Sequence, residues 1–214
     1  MEDNTHPNWN TQLENILSSE GEKANCFYWL HSKSEKQYSS FATYITIPTV
    51  ILSTVAGSAS IGSQSMFENS TLAPLIIGGV SLLVGVLNTV SSYFNWAKRS
   101  ENHRLSALNY AKIYRFILIE LSLPRNERIV AKDMLKFVRS ELDRLQENSP
   151  QIPDTVIKQF RNTFGKTTPE VSKPEITNGL DPIYVYNEEK AKPLLPLTNP
   201  IQRLKESGTA NQPR

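Results

Sequence analysis

The side chains that could carry out chemistry are few and far apart. His6, His31 and His103 are the three histidines, and none stands at ligand spacing from another. His31 and Glu35 lie four apart and, on a helix, could share a proton or a metal ion. Two lone ligands make a poor site, however, and a solvated or interfacial pair is the plainer reading. Cys26 is the single cysteine, so no intrachain disulfide can form; beside aromatic residues it reads as a buried structural thiol. Gly165-Lys166-Thr167 matches the end of a phosphate-binding loop, but Phe160 occupies the position of the required earlier glycine and no strand pattern precedes it. HExxH, CxxC and GxSxG are all missing. The expectation is a non-enzymatic protein with no catalytic residue, no cofactor and no metal site.

More is carried by weakly polar residues inside apolar runs. Ala42, Thr46, Thr49, Ser53, Ala56 and Ser60 alternate in steps of four and three, as do Gly78, Ser81, Gly85, Asn88 and Ser92. Each set forms a seam down one side of a helix. Lipid gives helices no hydrophobic reason to associate, so small residues and interhelical hydrogen bonds must do it. The seams therefore either close two helices on each other or, in an oligomer, line a wet pore, with Asn88 the most polar residue at depth. A second stripe, Arg125, Arg128, Lys132, Lys136 and Arg139, is basic and opposes an apolar face of Val130, Met134, Phe137, Val138, Leu142 and Leu145. It is a solvated face by default, with acidic headgroups or a nucleic-acid backbone as the alternatives.

The elements that must position these residues follow from how charge is distributed. The formal net charge is only +2, so nucleic acid is not the expected partner, and the mean hydropathy of −0.37 resembles that of a soluble protein. The average hides two charge-free segments, residues 37–67 and 69–97. Within them Tyr38–Ile61 and Leu72–Asn95 are each long enough to cross a bilayer as a helix, for which about 20 residues suffice. The short linker Gly62–Thr71 forces a hairpin. Pro48 predicts a kink in the first span, whereas Pro74 falls in the harmless first turn of the second. Trp9, Leu13, Ile16, Leu17, Ala24, Phe27 and Tyr28 recur on one helical face, predicting an amphipathic helix over 9–35. Residues 97–148 read as helical with a break at Pro124.

Residues 149–214 hold nine of the thirteen prolines and predict an extended tail. Its apolar clusters, Ile176, Ile183-Tyr184-Val185-Tyr186 and Leu194, Leu195 and Leu197, could dock on a partner. The organisation is thus an all-α membrane protein: an N-terminal amphipathic helix (1–37), a two-helix transmembrane hairpin (38–96), a cytosolic helical segment (97–148) and a Pro-rich tail (149–214). The polar first ten residues contain no apolar signal-peptide core. Lys23, Lys33, Lys36, Lys98, Arg99, Arg104, Lys112 and Arg115 flank the spans on one side, while the hairpin loop has no basic residue, so both termini are expected in the cytoplasm. Tyr38, Phe41, Tyr44, Tyr93, Phe94 and Trp96 would form an aromatic belt on that same side. Asn69-Ser70-Thr71 fits the glycosylation pattern on the other.

Several of these segments resemble the SLATT superfamily of two-transmembrane proteins. They are Tyr28 to Ser60 with its Ile-Pro-Thr-Val-Ile-Leu-Ser-Thr core, Trp96-Ala97-Lys98-Arg99, the Leu121-Ser122-Leu123-Pro124 break and Ser149-Pro150-Gln151-Ile152-Pro153. The resemblance spans roughly 20–157 and is closest to the versions carried by large DNA viruses of algae and protists. It implies a membrane hairpin followed by a cytosolic helical segment. Bacterial members are proposed to be pore-forming effectors triggered by nucleotide-sensing partners, yet no sensor domain is attached here and a Pro-rich tail stands in its place. The viral likeness implies a virion component that anchors an internal virion membrane to the capsid shell. Its partners would be the lipid bilayer and capsid or other assembly proteins. The alternative is a pore-forming homo-oligomer.

Overall fold

The computed structural model describes residues 9–66, 72–165, 167–168 and 170–180. Among these the chain is all-helical: α1 (Thr11–Met66), α2 (Leu72–Phe94), α3 (Trp96–Ser122), α4 (Ala131–Asn148), α5 (Asp154–Phe164) and α6 (Glu175–Asn178). The first two expected elements are one. α1 continues from the amphipathic segment through the first apolar segment, 56 residues and about 84 Å at 1.5 Å per residue. Asn10 caps it, its Oδ1 accepting from the Leu13 N–H at 2.8 Å. Pro48 removes one donor but does not end the helix. Nearby hydroxyls fold back on their own turn, Thr49 donating to the Ile45 carbonyl at 2.7 Å and Thr54 to that of Val50 at 2.9 Å.

α2 and α3 return alongside α1. They are separated by one residue, Asn95, in the left-handed region (φ 50°, ψ 45°), a conformation that asparagine tolerates better than most residues. The chain turns at Asn95 without losing its backbone pairing: its N–H reaches the Ser91 carbonyl, and its own carbonyl receives the Arg99 N–H. This divides the molecule into an apolar arm, made of residues 38–66 and α2, and a polar bundle. Both helices of the arm are long and apolar enough to cross a membrane, and only 11% and 6% of their most apolar stretches are buried. Ile47, Val50, Ile51, Val55, Leu75, Ile76, Leu82 and Val86 lie more than half exposed. A core helix of a water-soluble protein would be covered; these are suited to lipid.

In the bundle, α1 lies between two cores. On one side Leu17 and Ala24 meet Tyr110, Ile113 and Ile117 of α3 and Met134, Val138 and Leu145 of α4. On the other, Cys26 and Leu30 meet Ile152 and the α5 residues Val156, Ile157 and Phe160. Leu17, Leu30 and Met134 are fully enclosed, each contributing about 1.5–3 kcal/mol of burial. Trp29 stands edge-on to both Phe160 and Phe164, with centroids 5.4 Å away in each case. α3 ends at Ser122, two residues before Pro124. Of the expected α4 face, Val130 and Phe137 are instead exposed and Ala131 is buried. The expected extension of the tail from residue 149 is corrected: α5 is helical because Pro150 and Pro153 precede it and Pro169 follows it, so none interrupts it. Most of the docking clusters, Ile183–Tyr186, Leu194, Leu195 and Leu197, lie outside the described residues, while Ile176 is part of α6 and half-exposed.

Candidate functional site

The most organised polar feature is at the joint between arm and bundle. His31 of α1 and His103 of α3 are each 1% exposed, with their Nδ1 atoms 2.9 Å apart. At that distance one Nδ1 carries a hydrogen and the other a lone pair. Flat rings continue the contact on both sides. Tyr110 stacks on His31 (5.5 Å, 12°) and Phe27 on Tyr110 (5.0 Å, 21°), while Tyr38 stacks on His103 (5.3 Å, 15°). A column of five rings thus alternates between α1 and α3. Beside it, Ser100 Oγ donates to the Glu35 carbonyl at 3.1 Å. One step towards the arm, Trp96 stacks on Phe94 (4.9 Å) and approaches Phe41 (6.5 Å).

Burial disfavours a charge on either imidazole. His31 is held down to about 3, first by loss of solvent and second by His103. His103 is held down to about 4, again by burial first and then by Arg99. The pair is neutral near pH 7. The reading of His31 with Glu35 is therefore corrected: His31 Nδ1 is engaged by a histidine on the other strand of the long hairpin. Among the described residues no group of three metal-ligating side chains occurs. A cavity of about 460 Å³ opens beside the column, with Phe27, His31 and Tyr110 among its walls and Glu20, Lys23 and Glu175 around it. The Tyr110 hydroxyl is pushed up by burial, opposed by the neighbouring Ser149.

No family model, curated protein or solved structure matches this chain. The likeness to two-span membrane proteins therefore rests on the segments quoted above.

The seams are placed differently from expectation. In the arm, the buried and half-buried side chains include Ile45, Thr49, Leu52, Ala56 and Ala59 on α1 and Ala73, Ile77, Val80, Val84 and Leu87 on α2, a stripe on each helix where the two pack together. Thr49 and Ala56 of the expected seam are in this contact; Thr46, Ser53 and Ser60 are exposed. Gly78, Ser81, Gly85, Asn88 and Ser92 are all exposed, and a Cβ added at Gly78 or Gly85 would meet nothing within 4 Å. The expectation that these five close the hairpin is corrected. The α2 spacing was right and its phase was wrong by one residue, because branched aliphatics fill the contact instead.

The displaced residues share one side. At 100° per residue, Thr46, Ser53 and Ser60 lie about 80° round α1 from the contact, and the α2 seam lies about 100° round in the same sense. The helices are antiparallel, so equal senses point to the same side of the hairpin. The opposite side carries Ile51, Val55, Ile76, Leu83 and Val86, all exposed. The arm is two-faced: small and hydrogen-bonding on one side, bulky and aliphatic on the other.

The basic stripe does not act as one surface. Arg125 and Arg128 precede α4 and clasp Glu14 of α1, Arg125 through two hydrogen bonds of 2.8 and 2.7 Å. Arg128 also donates to the carbonyls of Leu123 and Leu121 and lies over the Trp9 ring. Lys132, Lys136 and Arg139 remain exposed on α4, with Asp143 3.8 Å from Arg139. Glu14 is 24 residues before Tyr38 on a continuous helix, so the clasp is about 36 Å from the arm. That distance argues against the headgroup reading for Arg125 and Arg128. Cys26 is buried as expected, its thiol pushed up to about 11 by burial.

Proposed function

We propose that this chain is a non-enzymatic two-span membrane protein that self-associates through the small-residue side of its arm, with both termini in the cytoplasm. The observation that carries the reading is the convergence of two seams, from separate helices, on one uncovered side. Thr46, Ser53, Gly78, Ser81, Gly85, Asn88 and Ser92 are exposed there and can face a second copy. Small residues let backbones approach closely in lipid, and hydroxyls and an amide satisfy one another across such a contact. With several copies arranged around an axis, the same side would line a polar path, as the pore-forming alternative requires. The orientation is supported by the eight basic residues that flank the spans against none in the loop.

The test is self-association in mild detergent, read by sedimentation, together with conductance in planar bilayers. Gly85→Leu should leave the hairpin intact and lower the association state, because a Cβ at Gly85 would meet nothing within 4 Å among the described residues. Asn88→Leu should reduce any conductance. A wild-type protein that stays monomeric in lipid at all concentrations would overturn the reading. The anchoring role implied by the viral likeness would be carried by residues 183–197, outside the described structure. Loss of particle incorporation on deleting 181–214 would favour it instead.

A further inference from the structure

We propose that the His31–His103 contact is a proton-released latch that holds α1 against α3 at the joint and lets them part on acidification. The inference is independent of what the arm does in the membrane.

The geometry supplies the device. The two imidazoles sit on different helices and spend their facing nitrogens on each other, sharing one hydrogen at 2.9 Å. A first added proton puts a charge in an enclosed site; a second leaves two N–H donors pointing at each other with no lone pair between them. Neither cost can be relieved by a side-chain turn, because Tyr110 and Tyr38 cover the outer faces of the pair. Separating the helices relieves both. The charged and titratable groups around the pair do not compensate. On α3, Arg99 opposes protonation of His103, and Tyr110 is neutral. On α1, Tyr38 presents its ring, and Glu35 is tied to α3 through its backbone carbonyl. Glu20, Lys23 and Glu175 line the neighbouring cavity, to which α4 and the 149–152 turn add no titratable group. That cavity reaches His31 as one of its lining residues.

The sign follows from linkage. The closed state holds both histidines well below their ordinary 6.5, so opening takes up protons at any pH below about 6.5. The closed state keeps its full advantage above that pH and loses it progressively as pH falls towards 4. With closed-state values of about 3 and 4 against 6.5 when open, going from pH 7 to pH 5 multiplies the opening constant by about 500, or about 20–25 for each histidine.

Hydrogen exchange reads this constant directly. In the full chain in lipid nanodiscs, protection of the α3 amides 100–110, corrected for intrinsic rates, should fall about 500-fold between pH 7 and pH 5. His103→Phe, which keeps a flat ring, should cut that fall to about 20-fold, and the double variant with His31→Phe should abolish it. A wild-type fall below about 5-fold overturns the proposal, and so does a double variant that keeps the wild-type pH profile. If the variants do not fold, nitrogen NMR of histidine-labelled wild-type protein decides. A single Nδ1–H shared at neutral pH and no titration near 6.5 while the helices stay closed are required; free titration near 6.5 refutes the latch.

Discussion

Gly21 of α1 packs directly against Ile117 of α3, and its replacement sets two effects of known sign against each other. A Cβ at this position would lie 3.1 Å from Ile117 Cγ2 and 3.5 Å from Ile117 Cβ. Ile117 is 2% exposed, packed within the core that also holds Leu17, Ile113 and Met134, and has little room to withdraw. Overpacking of this kind costs about 1–3 kcal/mol, while exchanging glycine for alanine inside a helix contributes about 1 kcal/mol in the other direction. Gly21→Ala should therefore destabilise the bundle by about 1 kcal/mol, and Gly21→Leu by several times more. The assay is thermal unfolding in detergent followed by helical circular dichroism, and a double-mutant cycle isolates the cause. Ile117→Ala alone should cost about 2–5 kcal/mol through the cavity it leaves. Combined with Gly21→Ala it should cost less than the two separately, because the methyl that clashes has gone. Strict additivity, or a Gly21→Ala protein more stable than wild type, would refute the close-approach argument.

Other outcomes test the remaining parts of the fold. Met134→Ala, at a fully enclosed position, should cost about 2–5 kcal/mol in the same unfolding assay. Glu14 is held down to about 2, chiefly by its hydrogen bond to Arg125, so the clasp contributes above about 4.5 and is lost as pH falls towards 2. Glu14→Gln should lower stability at pH 7 by about 1 kcal/mol, the scale of a partly exposed ion pair, and should flatten that acid limb. Cys26 should resist maleimide in the native protein at pH 7 and react only on unfolding, since it is 8% exposed and its thiol is raised. Cysteines introduced at Lys33 or Arg104 should then report the cytoplasmic side alone; labelling from the opposite side would reverse the orientation.

How much of this was legible depended on whether a feature was local. The two apolar helices and the stop before Pro124 follow from runs and breakers along the chain. α5 was missed because proline density was averaged over 149–214, although Val156, Ile157 and Phe160 fall on one face of a proline-free stretch. The seams were visible by spacing but not by phase: in lipid both sides of a helix are apolar, so periodicity does not say which side meets the partner. The histidine pair lies 72 residues apart in the chain, with no motif around either member. A signal did exist. Two helices running antiparallel bring together residues equally distant from the link between them, and His31 and His103 are each 36 residues from position 67 in the sequence.

The joint gives the histidine contact mechanical reach. α1 is continuous from the bundle into the arm, so it moves as one rod, whereas the returning strand is broken at Asn95. Rods and breaks respond differently to a local separation. When α3 leaves α1 near His103, α2 need not follow rigidly, because the left-handed residue between them can absorb the change in direction. The aromatic cluster of Phe41, Phe94 and Trp96 lies across that break and resists it, and the packing that buries Thr49, Ala56 and Val84 resists it further along. What changes first is thus the angle between bundle and arm on the α3 side. The small-residue side of the arm is formed jointly by α1 and α2, so its shape depends on that angle. A contact between two neutral rings in the polar bundle is in this way connected, through one unbroken helix and one broken one, to the surface on which self-association is proposed to depend.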